Sequence, residues 1–99
     1  GAALDRIGEQ PKAFVLDFSD VPVLDSTAAV TIEGFARKVQ RRAAPVYLAG
    51  ARPAIRRVLI AHGLRPPLVH YRTRPADALA AARRAIDSDR LADGAGAVA

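Results

Sequence analysis

The tripeptide Asp25-Ser26-Thr27 combines a carboxylate with two adjacent hydroxyl groups, which could cap a helix, bind a partner or accept a phosphate. The three residues follow an apolar run and a proline-containing turn, and a long proline-free segment begins with them. At such a helix start, Asp25 or Ser26 could accept hydrogen bonds from the free backbone N–H groups, which stabilises a helix by about 1 kcal/mol. The same N–H groups and the positive end of the helix dipole could accommodate a phosphate on Ser26 or Thr27. The pattern therefore predicts a helix cap, and it leaves a phosphorylation switch open beside it.

The other carboxylates lack the neighbours that catalysis or metal binding would require. Asp17 ends an apolar run, as a phosphate-accepting aspartate does in receiver domains, but no adjacent acidic pair precedes it and no lysine follows Lys38. Asp17, Asp20 and Asp25 together could ligate a hard cation, although such residues are more typical of turns and helix caps. We therefore expect no metal site among them.

The histidines and the serine give no hydrolytic site either. His62 and His70 are isolated from any further metal-ligating group, and Ser26 has no candidate histidine base held by an acid. The sequence therefore predicts a protein that is not an enzyme, with no catalytic residue and no cofactor.

The amino-acid composition limits the remaining classes of function. The chain has 99 residues, a formal net charge of +5 and no cysteine, which excludes disulfides and zinc–thiolate sites. Thirteen of its 15 cationic residues are arginines, spread from Arg6 to Arg90, and only five residues are aromatic. Because nucleic-acid binders cluster basic residues with aromatics on one face, this distribution does not favour nucleic-acid binding. No apolar run approaches the roughly 20 residues of a membrane span, so we expect a soluble domain.

The spacing of the apolar residues predicts the strands and helices around Asp25-Ser26-Thr27. Helical spacing and strand-like apolar runs alternate, separated by proline and glycine. The pattern predicts strands over 13–18, 46–49 and 68–71, and helices over 26–42, 52–62 and 75–90. Strands that alternate with helices of crossover length indicate an α/β fold with a small, mostly parallel sheet flanked by helices.

The periodicity also predicts the inward faces of the helices and the domain bounds. The first helix should bury Val30, Ile32, Phe35, Ala36 and Val39, and the third should bury Leu79, Ala82, Ile86 and Leu91. We expect a single domain over residues 1–92, followed by a flexible Gly/Ala tail over 93–99.

Several of these segments together resemble a known family. Val15-Leu16-Asp17-Phe18 followed by Val21-Pro22-Val23-Leu24-Asp25-Ser26-Thr27 is similar to the signature of STAS domains, and 45–50, 52–59 and 62–64 continue the resemblance. It covers about residues 13–84 and implies a STAS-like fold whose opening strands are missing or shortened. STAS domains occur in anti-sigma factor antagonists and in the cytoplasmic part of SulP-type sulfate and anion transporters.

The resemblance implies a regulatory, protein-binding role. The serine phosphorylated in the antagonist branch corresponds to Thr27, and the glycine usual after it is replaced by Ala28. Asp-x-Thr followed by alanine is closer to the transporter branch, so we expect a cytoplasmic domain related to a SulP-type transporter, whose partner is the membrane domain. The alternative is a free-standing antagonist that binds an anti-sigma factor kinase. In both cases we expect Asp25, Ser26, Thr27 and Ala28 to form the surface that meets a partner or an anion.

Overall fold

A mostly parallel four-stranded sheet organises the chain. The computed structural model describes residues 2–3 and 11–98, and the side chains of residues 11–91. The strands are β1 (Ala2–Ala3), β2 (Phe14–Asp17), β3 (Val46–Ala49) and β4 (His70–Arg72). The helices are α1 (Ser26–Gln40), α2 (Pro53–Ala61) and α3 (Pro75–Val98).

The strands lie in the order β1-β2-β3-β4. β1 is antiparallel to β2, while β2, β3 and β4 run parallel, with Phe14 opposite Val46 and Tyr47 opposite His70. This confirms the predicted α/β fold with a small parallel sheet and three helices. The family resemblance implied that the opening strands are missing or shortened. In the structure, β1 precedes β2 and is two residues long.

The alternation of side chains along the strands separates two apolar layers. Phe14, Phe18 and Leu48 lie on one face and pack with residues of α1 and α2, such as Val39 and Leu59. Val15, Tyr47 and Ala49 lie on the other face and pack against α3 through its alanines, Ala78, Ala81 and Ala82. Because alanine has a short side chain, α3 can approach the sheet closely. The N-termini of α1 and α2, the two crossover helices, lie at the carboxyl edge of the sheet, and α3 begins at the same edge after β4.

Two predicted core positions are wrong. Val30 is 56% exposed, because it lies about 100° around α1 from the buried Ala29 and faces solvent. Leu91 is 74% exposed, because it lies two and a half turns after the buried Ala82 and therefore on the opposite side of α3. The other predicted inward positions of the two helices are buried or half-buried, namely Ile32, Phe35, Ala36, Val39, Leu79, Ala82 and Ile86.

Three element boundaries differ from the predicted ones by two residues or more. α1 ends at Gln40 instead of residue 42, because the chain turns there and Ala43 adopts a positive φ of 57°. β4 begins two residues later than predicted, since the N–H groups of Leu68 and Val69 donate to the Arg65 carbonyl and not to a neighbouring strand. α3 continues to Val98, into the segment for which a flexible tail was predicted.

Candidate functional site

The connection between β2 and α1 is held in place by Asp17. The Ser19 N–H donates to Asp17 Oδ1 at 2.8 Å, and hydrogen bonding from Ser19 lowers the pKa of this exposed carboxyl below its usual value. The N–H of Phe18, which lies between Asp17 and Ser19, donates to the Ala49 carbonyl at 2.8 Å and ties the turn to β3. The Asp17 carboxylate therefore has a structural partner in the turn that leads to the candidate site.

Asp25 is the N-cap of α1. Its backbone is extended, with φ −89° and ψ 169°, and its Oδ1 accepts a hydrogen bond of 2.8 Å from the Ala28 N–H. The sequence left Asp25 and Ser26 as alternative caps, and the geometry assigns the cap to Asp25. Ser26 and Thr27 are then the first two residues of the helix, and their hydroxyl groups do not provide this cap.

Asp25, Ser26 and Thr27 are all exposed, and Ala28 is half-buried. They lie at the helix start that follows β2, which is the placement expected from the strand–turn–helix pattern. The Thr27 carbonyl accepts a hydrogen bond of 3.0 Å from the Thr31 hydroxyl one turn later. The structure therefore brings the predicted site residues together on one accessible helix start.

Two exposed apolar side chains flank this helix start. Val23 precedes the cap and is 78% exposed, and Val30, one turn after Thr27, is 56% exposed. Residues three apart on a helix are neighbours on its surface, so Thr27 and Val30 share one side of α1. Sequence reasoning missed both valines, since Val30 was assigned to the core by its spacing and Val23 was treated only as part of a motif.

The structure describes the surroundings of the two histidines, which the sequence analysis considered as metal ligands. Within the described part of the chain, no group of three or more His, Cys, Asp or Glu side chains could hold a metal ion. The Nδ1 atom of His62 lies 2.9 Å from the Val58 carbonyl oxygen, and the His70 ring lies 5.3 Å from the Tyr47 ring. The two histidines thus have local partners on α2 and in the sheet.

Across residues 2–3 and 11–98, none of the helices is both long and apolar enough to cross a membrane.

The fold and this helix start define a small α/β domain that offers an accessible polar surface at the carboxyl edge of a parallel sheet. A family model of the STAS domain matches residues 2–78, and the chain belongs to the STAS domain family. The match includes β1 and ends within the first turn of α3, so it begins earlier and ends earlier than the expected span of 13–84. A search of the curated proteins found no match to the chain.

Membership of the STAS family indicates the general role of the domain. STAS domains are in general non-enzymatic modules that regulate other proteins and mediate protein–protein interactions. The geometry agrees with that description, because the predicted site is an exposed surface at a helix start.

Proposed function

We propose that this chain is the cytoplasmic regulatory domain of, or a relative of, a SulP-type sulfate or anion transporter. In this role it binds the membrane domain of the transporter at the cytoplasmic face of the membrane. The observation that carries the proposal is the exposure of Asp25, Ser26 and Thr27 at the start of α1. The Asp25-Ser26-Thr27-Ala28 pattern is closer to the transporter branch of the family than to the antagonist branch.

The proposed contact surface, called here the Thr27 surface, consists of Val23, Asp25, Ser26, Thr27 and Val30. Its two exposed valines supply apolar area that a partner can remove from water, at about 25 cal/mol per Å². The residues between them supply carboxylate and hydroxyl oxygens for hydrogen bonds. A surface with an apolar part and directional polar groups is suited to a specific protein partner.

The alternative is a free-standing anti-sigma factor antagonist that is switched by phosphorylation at Thr27 or Ser26. This reading is supported by the accessibility of both residues and by the assignment of the cap to Asp25. A phosphate at either position would be added without removing the cap, and it would lie beside the free N–H groups of the first helical turn.

A negative charge at Thr27 is expected to affect binding much more than folding. A negative charge in the first turn stabilises a helix by about 0.3–1 kcal/mol, which offsets part of its repulsion from Asp20 and Asp25. In an interface, the same charge without a partner must be desolvated, which commonly costs several kcal/mol. The binding equilibrium, and not the folded state, would therefore respond to the modification.

The test compares Thr27→Glu, Thr27→Ala and Ser88→Glu by thermal melting and by calorimetric titration. The titrant is the partner isolated by pull-down, either the membrane domain or the anti-sigma factor kinase. Ser88 is exposed on α3, so Ser88→Glu makes the same change of charge on a surface outside the proposed contact. We expect Thr27→Glu to weaken binding by at least about tenfold with little change in melting temperature. Thr27→Ala and Ser88→Glu should bind nearly as the wild type does.

If Thr27→Glu binds as tightly as the wild type, the start of α1 is only a helix cap and the proposal is wrong. If Thr27→Glu unfolds the domain, Thr27 is structural and the switch is wrong as well. The complete reading frame separates the two branches. Hydrophobic spans encoded ahead of this domain would support the transporter, whereas a short frame beside a kinase gene would support the antagonist.

A further inference from the structure

The charges of this chain are unevenly distributed along the sequence. Residues 34–76 contain ten of the 15 lysines and arginines and not one aspartate or glutamate. This stretch contributes the last two turns of α1, all of β3, α2 and β4, and the first two residues of α3. The domain therefore carries a continuous run of chain that contains cationic side chains and no carboxylate, with Glu33 and Asp77 just outside its two ends.

Helix α2 presents three of these arginines to solvent. Ile55 and Leu59 are buried and fix the inner side of the helix, whereas Arg52, Arg56 and Arg57 are exposed. The ion pairs among the described side chains are Arg37–Glu33 and Arg74–Asp77, so the arginines of α2 are in neither. The guanidinium carbon of Arg56 lies 4.8 Å from the centre of the Tyr71 ring, which orients this side chain beside the helix. The α2 basic face is defined by Arg52, Arg56 and Arg57.

The position of Arg52 opposes the stability of the helix. Arg52 is the N-cap of α2 and makes no side-chain capping bond, Pro53 follows it, and the first turn contains no acidic residue. The N-terminus of a helix carries a partial positive charge, so cations near it are unfavourable. By contrast, the basic residues of the last turn of α1 and Asp77 in the first turn of α3 agree with the helix dipole. Helix stability therefore does not account for Arg52 at the start of α2.

We propose that the α2 basic face binds an acidic segment of a protein partner. Arginine forms planar, two-pronged hydrogen bonds with carboxylates, and three arginines within six residues match a segment with repeated aspartate or glutamate. This face is on a different helix from the Thr27 surface, and the proposal does not depend on the function proposed above.

The chemistry of the same face does not favour a membrane or a nucleic acid. Helices that bind a membrane surface insert large apolar side chains, and the large aliphatic residue exposed on α2 is Ile60, at only 38%. No aromatic residue occurs in α2 that could stack on nucleic-acid bases. Carboxylates in a polypeptide need neither feature.

The test measures the binding of fluorescein-labelled poly-L-glutamate by fluorescence anisotropy at low salt. Arg52→Gln/Arg57→Gln removes two charges from the α2 basic face and leaves the contact between Arg56 and Tyr71 in place. Arg83→Gln/Arg84→Gln removes two charges from exposed positions of α3 and is the control with the same net charge. We expect the α2 variant to bind about tenfold more weakly than the wild type, and the α3 variant to bind within about twofold of it.

The α2 variant should also melt close to the wild-type temperature, since replacing Arg52 removes a cation from a helix N-terminus and Arg57 is exposed and makes no ion pair with the described side chains. If it melts lower, Arg57→Gln and Arg84→Gln are compared as single variants in the same assay. Absence of binding by the wild type, or an equal loss in the α2 and α3 variants, would overturn the proposal. Tighter binding to phosphatidylserine vesicles or to duplex DNA, lost in the α2 variant alone, would assign the face to a membrane or to nucleic acid instead.

Discussion

Ser19 lies directly over Gly50, at the point where the turn after β2 meets the turn after β3. A Cβ atom added to Gly50 would overlap Ser19 Oγ and would lie 3.2 Å from Ser19 Cα. The φ angle of Gly50 is +72°, and its N–H donates to the Arg72 carbonyl at 3.2 Å. This close approach ties the connection that leads to the Thr27 surface to the ends of β3 and β4.

Replacing Gly50 should therefore destabilise the domain. We expect Gly50→Ala to lower the free energy of unfolding by about 2–4 kcal/mol, from a left-handed alanine together with the collision with Ser19. Gly34 provides the matched control, because it lies within α1 and an added Cβ would have no atom within 4 Å. Gly34→Ala should raise the free energy of unfolding by about 0.5–1 kcal/mol. Urea unfolding of both variants measures the difference, and equal stabilities would contradict the packing described here.

The assignment of Asp25 as the N-cap of α1 predicts how substitutions at this position change the free energy of unfolding. Asp25→Ala should lower the free energy of unfolding by about 1 kcal/mol, because the Ala28 N–H loses its acceptor. Asp25→Asn and Asp25→Ser should recover most of this loss, since each retains a side-chain oxygen at the cap position. Ser26→Ala should have little effect in the same urea titration. A loss with Ser26→Ala as large as that with Asp25→Ala would show that the cap is assigned to the wrong residue.

The raised pKa of Tyr71 predicts that the domain loses stability at alkaline pH. Its hydroxyl donates to the Leu64 carbonyl at 2.5 Å, and burial raises the pKa of this phenol to about 12, against the opposing effect of the Arg56 charge. Because the folded-state pKa is higher than the unfolded value of about 10, the neutral phenol stabilises the fold fully below pH 10. That contribution is lost as the pH rises from about 10 through about 12.

Tyr71→Phe tests this assignment. The variant should be less stable by about 1 kcal/mol at neutral pH, because the hydrogen bond to Leu64 is missing. Its stability should fall less than that of the wild type between pH 10 and 12, and the late phase of an ultraviolet titration of tyrosine ionisation should disappear. Parallel alkaline unfolding curves for the two proteins would contradict the assignment.

Local patterns explain how much of the candidate site was predictable. Asp25, Ser26 and Thr27 were placed at a helix start because a proline-containing turn and a proline-free amphipathic segment are adjacent in sequence. The choice of Asp25 as the cap required the backbone geometry, since Asp25 and Ser26 are equally good capping residues. The exposure of Val30 required the packing of α1 on the sheet, since its spacing is close to that of the buried residues.

The order of β2, β3 and β4 and of the three helices, the parallel sheet and the family could all be inferred from the amino-acid sequence, whereas β1 could not. These depend on periodicity and on turn residues that act over a few positions, so they can be inferred from neighbours along the chain. The folded structure was needed to show that Ser19 meets Gly50, that Tyr47 lies opposite His70, and that Arg56 lies over the Tyr71 ring. Each of these contacts joins residues that are far apart in the sequence. Local preferences for helix, strand or turn therefore cannot predict them, because they depend on how the segments pack together.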